Sequence, residues 1–552
     1  MRFGPALEQV ISYTGILGIV WSATFLLGLA EFLSGAFGLP VDTVVLFAGV
    51  VVVFYSVLGG SWSAQITDSL QAFLILAIAI VVAVLGIRSI GGMGGLFSAI
   101  HEAGLAEDYR IVKEVGHTYT SSAAKVMAGN YTVPWMFAQF LYAFILSANM
   151  TGCHRFLSTK DDGSARKAAL LAAILAVAGA FIWYTPGMVA RLKYEKEVMS
   201  ISGIVLPDRP RLTAEETSDP AAAQAVAAYE QAQAEAIKQA KASGKLKGNP
   251  ADKAYAVVAK ELLPPGLLGL VVVSMFAATM AAMDGNLTGT AGIITKNIYP
   301  PLVRLLGGRP WEGRALLALT KIVNLSLGIA IIGLAYLIHH GAGSSSIYDI
   351  GLKIISFISA PTALPFALSF FVPTLPRWAP LVGIIAGLIN SALMNWGVWL
   401  GDTLLAPSLA DYSQWAGGLM WYQQLLLNTA IAVLSTGAMV IFWSPFDEPY
   451  VKQVEEFFRK IRTPVDFKKE HGEDSDHSLL KVVGGLGLIM AGAVAVLVFF
   501  APDWTGRFSV LFIVAFVGGI SGLMYYFGRR GARRQIPAAI PASSQEPPAA
   551  AS

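Results

Sequence analysis

The chain has 552 residues, of which 55% are hydrophobic and 14% charged, and its mean hydropathy is +0.60. Soluble domains carry roughly 25% charged residues, so the composition excludes an ordinary soluble protein and indicates a polytopic membrane protein. The net charge of +3 averages over two sides of a membrane and names no partner, and the single cysteine, Cys153, excludes an intrachain disulfide.

Twelve apolar stretches are long enough to be read as helical spans, at about 10–34, 41–58, 68–88, 131–150, 166–190, 264–298, 315–338, 346–372, 378–400, 421–443, 480–500 and 508–527. The expected fold class is therefore an all-α polytopic membrane protein. The start, MRFGPALEQ, is neither a cleavable signal peptide nor a myristoylation signal, so the first span doubles as the targeting signal. Lys and Arg cluster in the loop 154–167, after the sixth span (Arg304, Arg309, Arg314), after the eighth (Arg377), in 445–479, and in the tail (Arg529, Arg530, Arg533, Arg534). All five loops fall on one side, which the positive-inside rule makes cytoplasmic. Both termini are then expected inside, in a plasma or inner membrane. The segment 194–262 reads as an extracytoplasmic, solvated helical hairpin, with one helix starting at Pro220 and a second opened by Asn249-Pro250. Segment 445–479 reads as a cytoplasmic linker and 528–552, rich in Ala, Pro and Ser, as disordered.

Two stretches carry most of the information. In FYSVLGGSWSAQITDSLQ (54–71), Gly59-Gly60 is expected to turn the chain, and Asp68 with Gln71 fits a capping box at the start of the third span. The alternative for Asp68 is a carboxylate lining a cation path, where it would raise the local cation concentration. In the sixth span an apolar run from Gly266 to Met283 ends on Asp284. A carboxylate within a span is expensive and marks a functional candidate. Thr279 and Thr288 lie on either side of it, and a cation or proton site aided by one of them stands beside a carboxylate merely bonded to a neighbouring helix. Ser274, Ala278, Ala281, Ala282, Gly285, Gly289 and Gly292 form one small-residue face, which reads as a close helix-packing seam. Glu31 is expected to reach the interface, and Asp349 with Lys353 forms an i,i+4 pair. Gln139, Tyr142 and Asn149 in the fourth span are the candidates for a substrate cavity, and Pro134 and residues 149–152 are candidate interruptions of that helix. No phosphate-binding glycine loop, nucleophile elbow or basic–aromatic patch occurs, and adjacent His339 and His340 lack ligand spacing. No enzymatic activity, nucleic acid, metal cluster or organic cofactor is expected.

YSVLGGSWSAQITDSLQ, GCHRFLSTKDDGSARKA (152–168) and LLPPGLLGLVVVSMFAATMAAMDGNLTGTAGIITKNIYP together resemble the sodium:solute symporter family over most of residues 5–375. The resemblance implies a five-plus-five inverted repeat with flanking helices, of which the first five spans match core helices three to seven and spans six to eight match core helices eight to ten. It also implies uptake of a small solute by alternating access around a midplane site. Two departures accompany it. The family's first two core helices have no counterpart, so a truncated, natural or split chain is expected, with a separate chain as one source of the missing helices. The positions matching the family's sodium ligands on the eighth core helix are Ala278, Ala281 and Ala282, and alanine offers no side-chain oxygen. The sodium site is therefore expected to be crippled, leaving Na+ or H+ open as coupling ion and Asp284 and Asp68 as the charges on the cation path. Span 166–190 has no polar side chain between Ala169 and Trp183, which disfavours a sugar. A non-transporting sensor or assembly module with the same fold, or an inactive fragment, is the alternative.

Overall fold

The computed structural model describes residues 2–110, 112–114, 130–148, 162–211, 220–243, 249–341, 347–404, 406–442, 448–463 and 477–534. Every regular element among them is helical. Among the described residues ten helices are long and apolar enough to cross a membrane, and Val41–Val57 and Val133–Ile145 are shorter apolar helices, so each of the twelve expected spans has its helix.

The first span is divided. Helix α1, Pro5–Ile16, stops at Leu17-Gly18 and α2, Ile19–Phe37, continues it. Helix α3, Val41–Ser89, covers the second and third spans without a break in helical backbone. It is nonetheless not straight. Twelve residues of straight helix rise about 18 Å, whereas the Tyr55 hydroxyl lies 2.5 Å from Thr67 Oγ1. The chain therefore reverses between its two apolar stretches, as expected, but in helical backbone rather than in an open Gly-Gly turn. Asp68 is inside helix and caps no N-terminus, which corrects the capping-box reading.

Helix α4, Gly92–Glu102, follows, and then α5, Val133–Ala148. Pro134 sits in the first turn of α5 and interrupts nothing, because the first turn needs no intrahelical N–H donor there. Helix α6, Asp162–Lys193, leads into α7, Glu195–Ile201, and the insertion helix α8, Pro220–Ala242. Asn249 accepts from the Ala251 N–H at 3.0 Å and opens a short turn before α9, Ala254–Leu262.

The insertion is less solvated than its composition implies. Glu230, Gln233 and Tyr229 of α8 are buried. They close over an ion cluster in which Glu195 accepts from Arg191, from Arg209 Nε at 2.8 Å and from Gln233 Nε2 at 2.9 Å, while Glu230 accepts from Arg209 at 2.5 Å and Arg191 at 3.0 Å. Burial raises the Glu195 carboxyl, but the two guanidinia and Gln233 outweigh it and leave it below the usual carboxylate range. Burial dominates at Glu230, whose Oε2 has no donor among the described residues, and holds that carboxyl above its usual range. Burial, with the Glu195 charge beside it, pushes the Tyr229 phenol up to about 12.

The stability that Glu195 carries is present above its unfolded pKa, about 4.3, and is lost as the pH falls below it toward the lower folded value. Protection factors of α8 in the full chain, corrected for the intrinsic exchange rate, should therefore fall in acid through Glu195, partly offset by Glu230, whose raised carboxyl acts in the opposite sense. Glu195→Gln should show that loosening already at neutral pH, because removing one partner of a buried pair costs about 3 kcal/mol. Unchanged exchange in Glu195→Gln would contradict the pinning of α8 by this cluster.

The remaining core helices are α10, Pro265–Ile293, a π-helical turn at Ile294–Ile298, α11, Tyr299–Leu305, and α12, Gly313–Gly341. After these come α13, Ile347–Ile354, a second π turn at Ile355–Ser359, and α14, Ala360–Phe371. The flanking helices are α15, Ala379–Leu404, α16, Pro407–Gly417, and α17, Trp421–Phe442. A Cβ at Gly383 would meet Thr436 Oγ1 at 1.9 Å and one at Gly387 would meet Pro361 Cβ at 2.4 Å, so α15 packs backbone-close against α17 and α14. An amphipathic helix α18, Glu448–Arg462, and the hairpin of α19, His477–Ala495, with α20, Trp504–Arg534, complete the chain. Helix α20 continues to Arg534, past the 527/528 boundary expected for the tail; residues 535–552 lie outside the described ones.

Candidate functional site

The sequence makes α10 helical through its run of Leu, Val, Met and Ala, starts it at Pro265 in the first turn, and lodges it against α2, α3 and α12. Asp284 on it is 1% exposed. Its Oδ1 accepts from the Ser56 hydroxyl of α3 and from Thr288 Oγ1, one turn on, at 3.3 Å. A buried carboxylate needs such donors, because an unpaired one is strongly disfavoured. Of the two threonines named beside Asp284, Thr288 is the one that bonds it. Thr279 is five residues earlier, about 140° round the helix, and is buried on the opposite flank.

Ser56 adjoins Tyr55, Tyr55 touches Thr67, and Thr67 adjoins Asp68. The reversal in α3 thereby carries Asp68, half-buried, to the same end of the bundle as the Ser56–Asp284 contact. Ser56 was present in the quoted motif but its role was not foreseen; a hydroxyl in an otherwise apolar stretch of span was the available signal.

The small-residue face of α10 is not the seam expected of it. Ala278, Ala281 and Ala282 are half-buried, and Gly285 and Gly289 exposed. Among the described residues no atom comes within 4 Å of a Cβ built at Gly285, Gly289 or Gly292. Helical geometry sets Asp284 and Thr288 on one edge of this open face. Small side chains at three-to-four spacing suit a helix neighbour and an open lumen equally, which is why the pattern misled.

The other expectations fare unevenly. Gln139 is half-buried in α5, and Tyr142 packs edge-on against Trp421 at 6.4 Å, in a cluster with Ile145, Ile355 and Leu425. Asn149 lies outside the described residues, as do residues 150–161, and nothing is described of the Asp349 side chain. Glu31 is buried in protein: it is 4% exposed, 3.5 Å from His339 and 3.9 Å from Lys253. No group of three metal-ligating side chains occurs among the described residues.

Sequence reading missed a set of amide contacts. Asn286 Nδ2 donates to Ser22 Oγ of α2 at 3.1 Å, Asn297 Nδ2 to Ser12 Oγ of α1 at 3.2 Å, and Gln9 Nε2 to the Asn297 carbonyl at 2.8 Å. That carbonyl would pair with the N–H of residue 301 in an α-helix, but residue 301 is proline.

The model of the sodium:solute symporter family matches residues 1–387, about seven-tenths of the chain. The chain belongs to the sodium:solute symporter family. Its relatives include the sodium/glucose cotransporter 4 of Danio rerio, 23% identical over 82% of this chain and 64% of that protein. The sodium/mannose cotransporter of Bos taurus is 23% identical over 64% of this chain and 52% of that protein. The sodium/myo-inositol cotransporter 2 of Homo sapiens is 24% identical over 61% and 44%. The chain thus spans 64% or less of the length of these relatives. A solved structure of a Na+-coupled sialic acid symporter in a substrate-bound, outward-open state aligns with a TM-score of 0.49 and 15% identity over 80% of this chain and 76% of that one. Membership in a symporter family, with apolar helices of this length, makes the chain an integral membrane protein and not an enzyme.

Proposed function

We propose that the chain is an ion-coupled symporter of a small solute, working by alternating access, and that it takes its coupling cation at Asp284. The observation that carries this reading is the buried carboxylate with two hydroxyl neighbours at the edge of the open face of α10. Oxygens of this kind suit a hard monovalent cation or a proton. Ala281 and Ala282, three and two residues before Asp284, supply none, so the carboxylate replaces the hydroxyl pair of the family rather than adding to it. Asp68 is the second charge of the path, at the cytoplasmic mouth, with both termini on that same side. The relatives are named for glucose, mannose and myo-inositol. Helix α6 offers such a polyhydroxylated solute no polar side chain from Leu170 to Ile182, so its recognition falls to other helices.

The test is uptake by the full chain in proteoliposomes of labelled glucose, myo-inositol, an amino acid and a carboxylic acid. Each is offered under an inward Na+ gradient, an inward H+ gradient, or neither. Accumulation above equilibrium under one cation gradient is expected for one solute class. Absence of gradient-driven accumulation under every condition would favour a sensor or assembly module, the reading that Ala281 and Ala282 also suit.

A further inference from the structure

The second π turn is placed by proline chemistry and completed from outside its own helix. The Ala360 N–H reaches back five residues to the Ile355 carbonyl, setting the wide register. In that register the Ser356 carbonyl would pair with residue 361, and residue 361 is proline, which has no N–H. The vacancy does not stay empty. Asn428 Nδ2 of α17 donates to the Ser356 carbonyl at 2.9 Å. Asn428 Oδ1 in turn accepts from Asn390 Nδ2 of α15, and Asn390 Oδ1 accepts from the Tyr412 hydroxyl of α16 at 2.5 Å. Asn390 and Asn428 are 7% and 2% exposed. Each donates and accepts in one direction, so the chain of bonds runs from α16 through α15 and α17 into the core helix, and such chains reinforce their members.

We propose that Asn428 is a positioning residue of the transporter: it holds the π turn at residues 355–359 open as the hinge between α13 and α14, and through Asn390 and Tyr412 the flanking helices set that hinge. At the other π turn, too, an amide from a different helix bonds a turn carbonyl: Gln9 Nε2 of α1 donates to the Asn297 carbonyl. π turns inside helices recur at functional sites, and here each is fixed by an amide from a different helix. The hinge's part in alternating access rests on the symporter reading; the occupancy of the Ser356 carbonyl does not.

The experiment is hydrogen exchange of the full chain in nanodiscs, followed over residues 352–362. Asn428→Leu should speed exchange there about tenfold, within the range expected when a buried carbonyl loses its donor, and leave the far ends of α13 and α14 unchanged. Adding Pro361→Ala should restore protection, since alanine returns an intrahelical N–H to the carbonyl. Asn428→Ala, smaller and without the donor, should match Asn428→Leu and serves if the leucine variant fails to assemble. Three outcomes overturn the proposal: unchanged exchange over 352–362 in Asn428→Ala, loosening spread evenly through α14, α15 and α17, or no recovery on adding Pro361→Ala. Because exchange is read without any solute, failure of the symporter reading leaves this test intact.

Discussion

Asp284→Asn should reduce cation-driven solute uptake by about ten- to a hundredfold while the protein still inserts and folds. The substitution keeps the volume of the side chain and an oxygen for Ser56 to bond, so packing against α3 survives. What disappears is the charge, and a buried oxygen without charge attracts a cation far less. A charge-assisted contact contributes roughly 1.5–3 kcal/mol, so losing the one that the charge makes corresponds to about ten- to a hundredfold in affinity. Ser56→Ala should have a smaller effect of the same sign, because it removes one donor from Asp284 and leaves the carboxylate in place. Initial uptake rates against cation concentration check both. A cation affinity unchanged in Asp284→Asn would remove the carboxylate from the path.

Ala281→Ser with Ala282→Ser should introduce or strengthen sodium dependence. The two positions match the family's hydroxyl ligands, and in this chain they are half-buried methyls beside an open face. Two hydroxyl oxygens contributing roughly 1.5–3 kcal/mol each amount to about 3–6 kcal/mol of binding, enough to move a millimolar site to micromolar or below. The readout is the sodium concentration for half-maximal uptake in the wild type and the double variant, with potassium as the control. An identical sodium response in a variant that still transports would sink this account of the alanines.

The spans were legible because membrane thickness fixes helix length and composition together. The reversal near Gly59-Gly60 was legible too, though its form was not: local residues signal that a chain turns, whereas the Tyr55–Thr67 contact decides how. Asp284 announced itself as a carboxylate after eighteen apolar residues. Its donor Ser56 did not, because a serine in a span costs little and is common. The small-residue face shows the limit of periodicity most clearly, since spacing reports that side chains are small and not what lies opposite them. The same limit applies to Glu230 and Gln233 of α8. Their Ala/Gln/Glu context reads as a solvated helix, and only tertiary contact, of Glu230 with Arg191 and Arg209 and of Gln233 with Glu195, buries them. Asn390 and Asn428 lie in spans that otherwise look like flanking helices. Their role appears only when Pro361 is seen to leave the Ser356 carbonyl without a backbone partner.

The account turns on whether Asp284 carries the coupling cation. Radioactive sodium entry and external alkalinisation, recorded together while solute enters proteoliposomes, measure this directly in the wild type and in Asp284→Asn. One of the two cations should enter with solute in the wild type, and that flux should vanish in Asp284→Asn. Solute-coupled cation flux that persists undiminished in Asp284→Asn would contradict it.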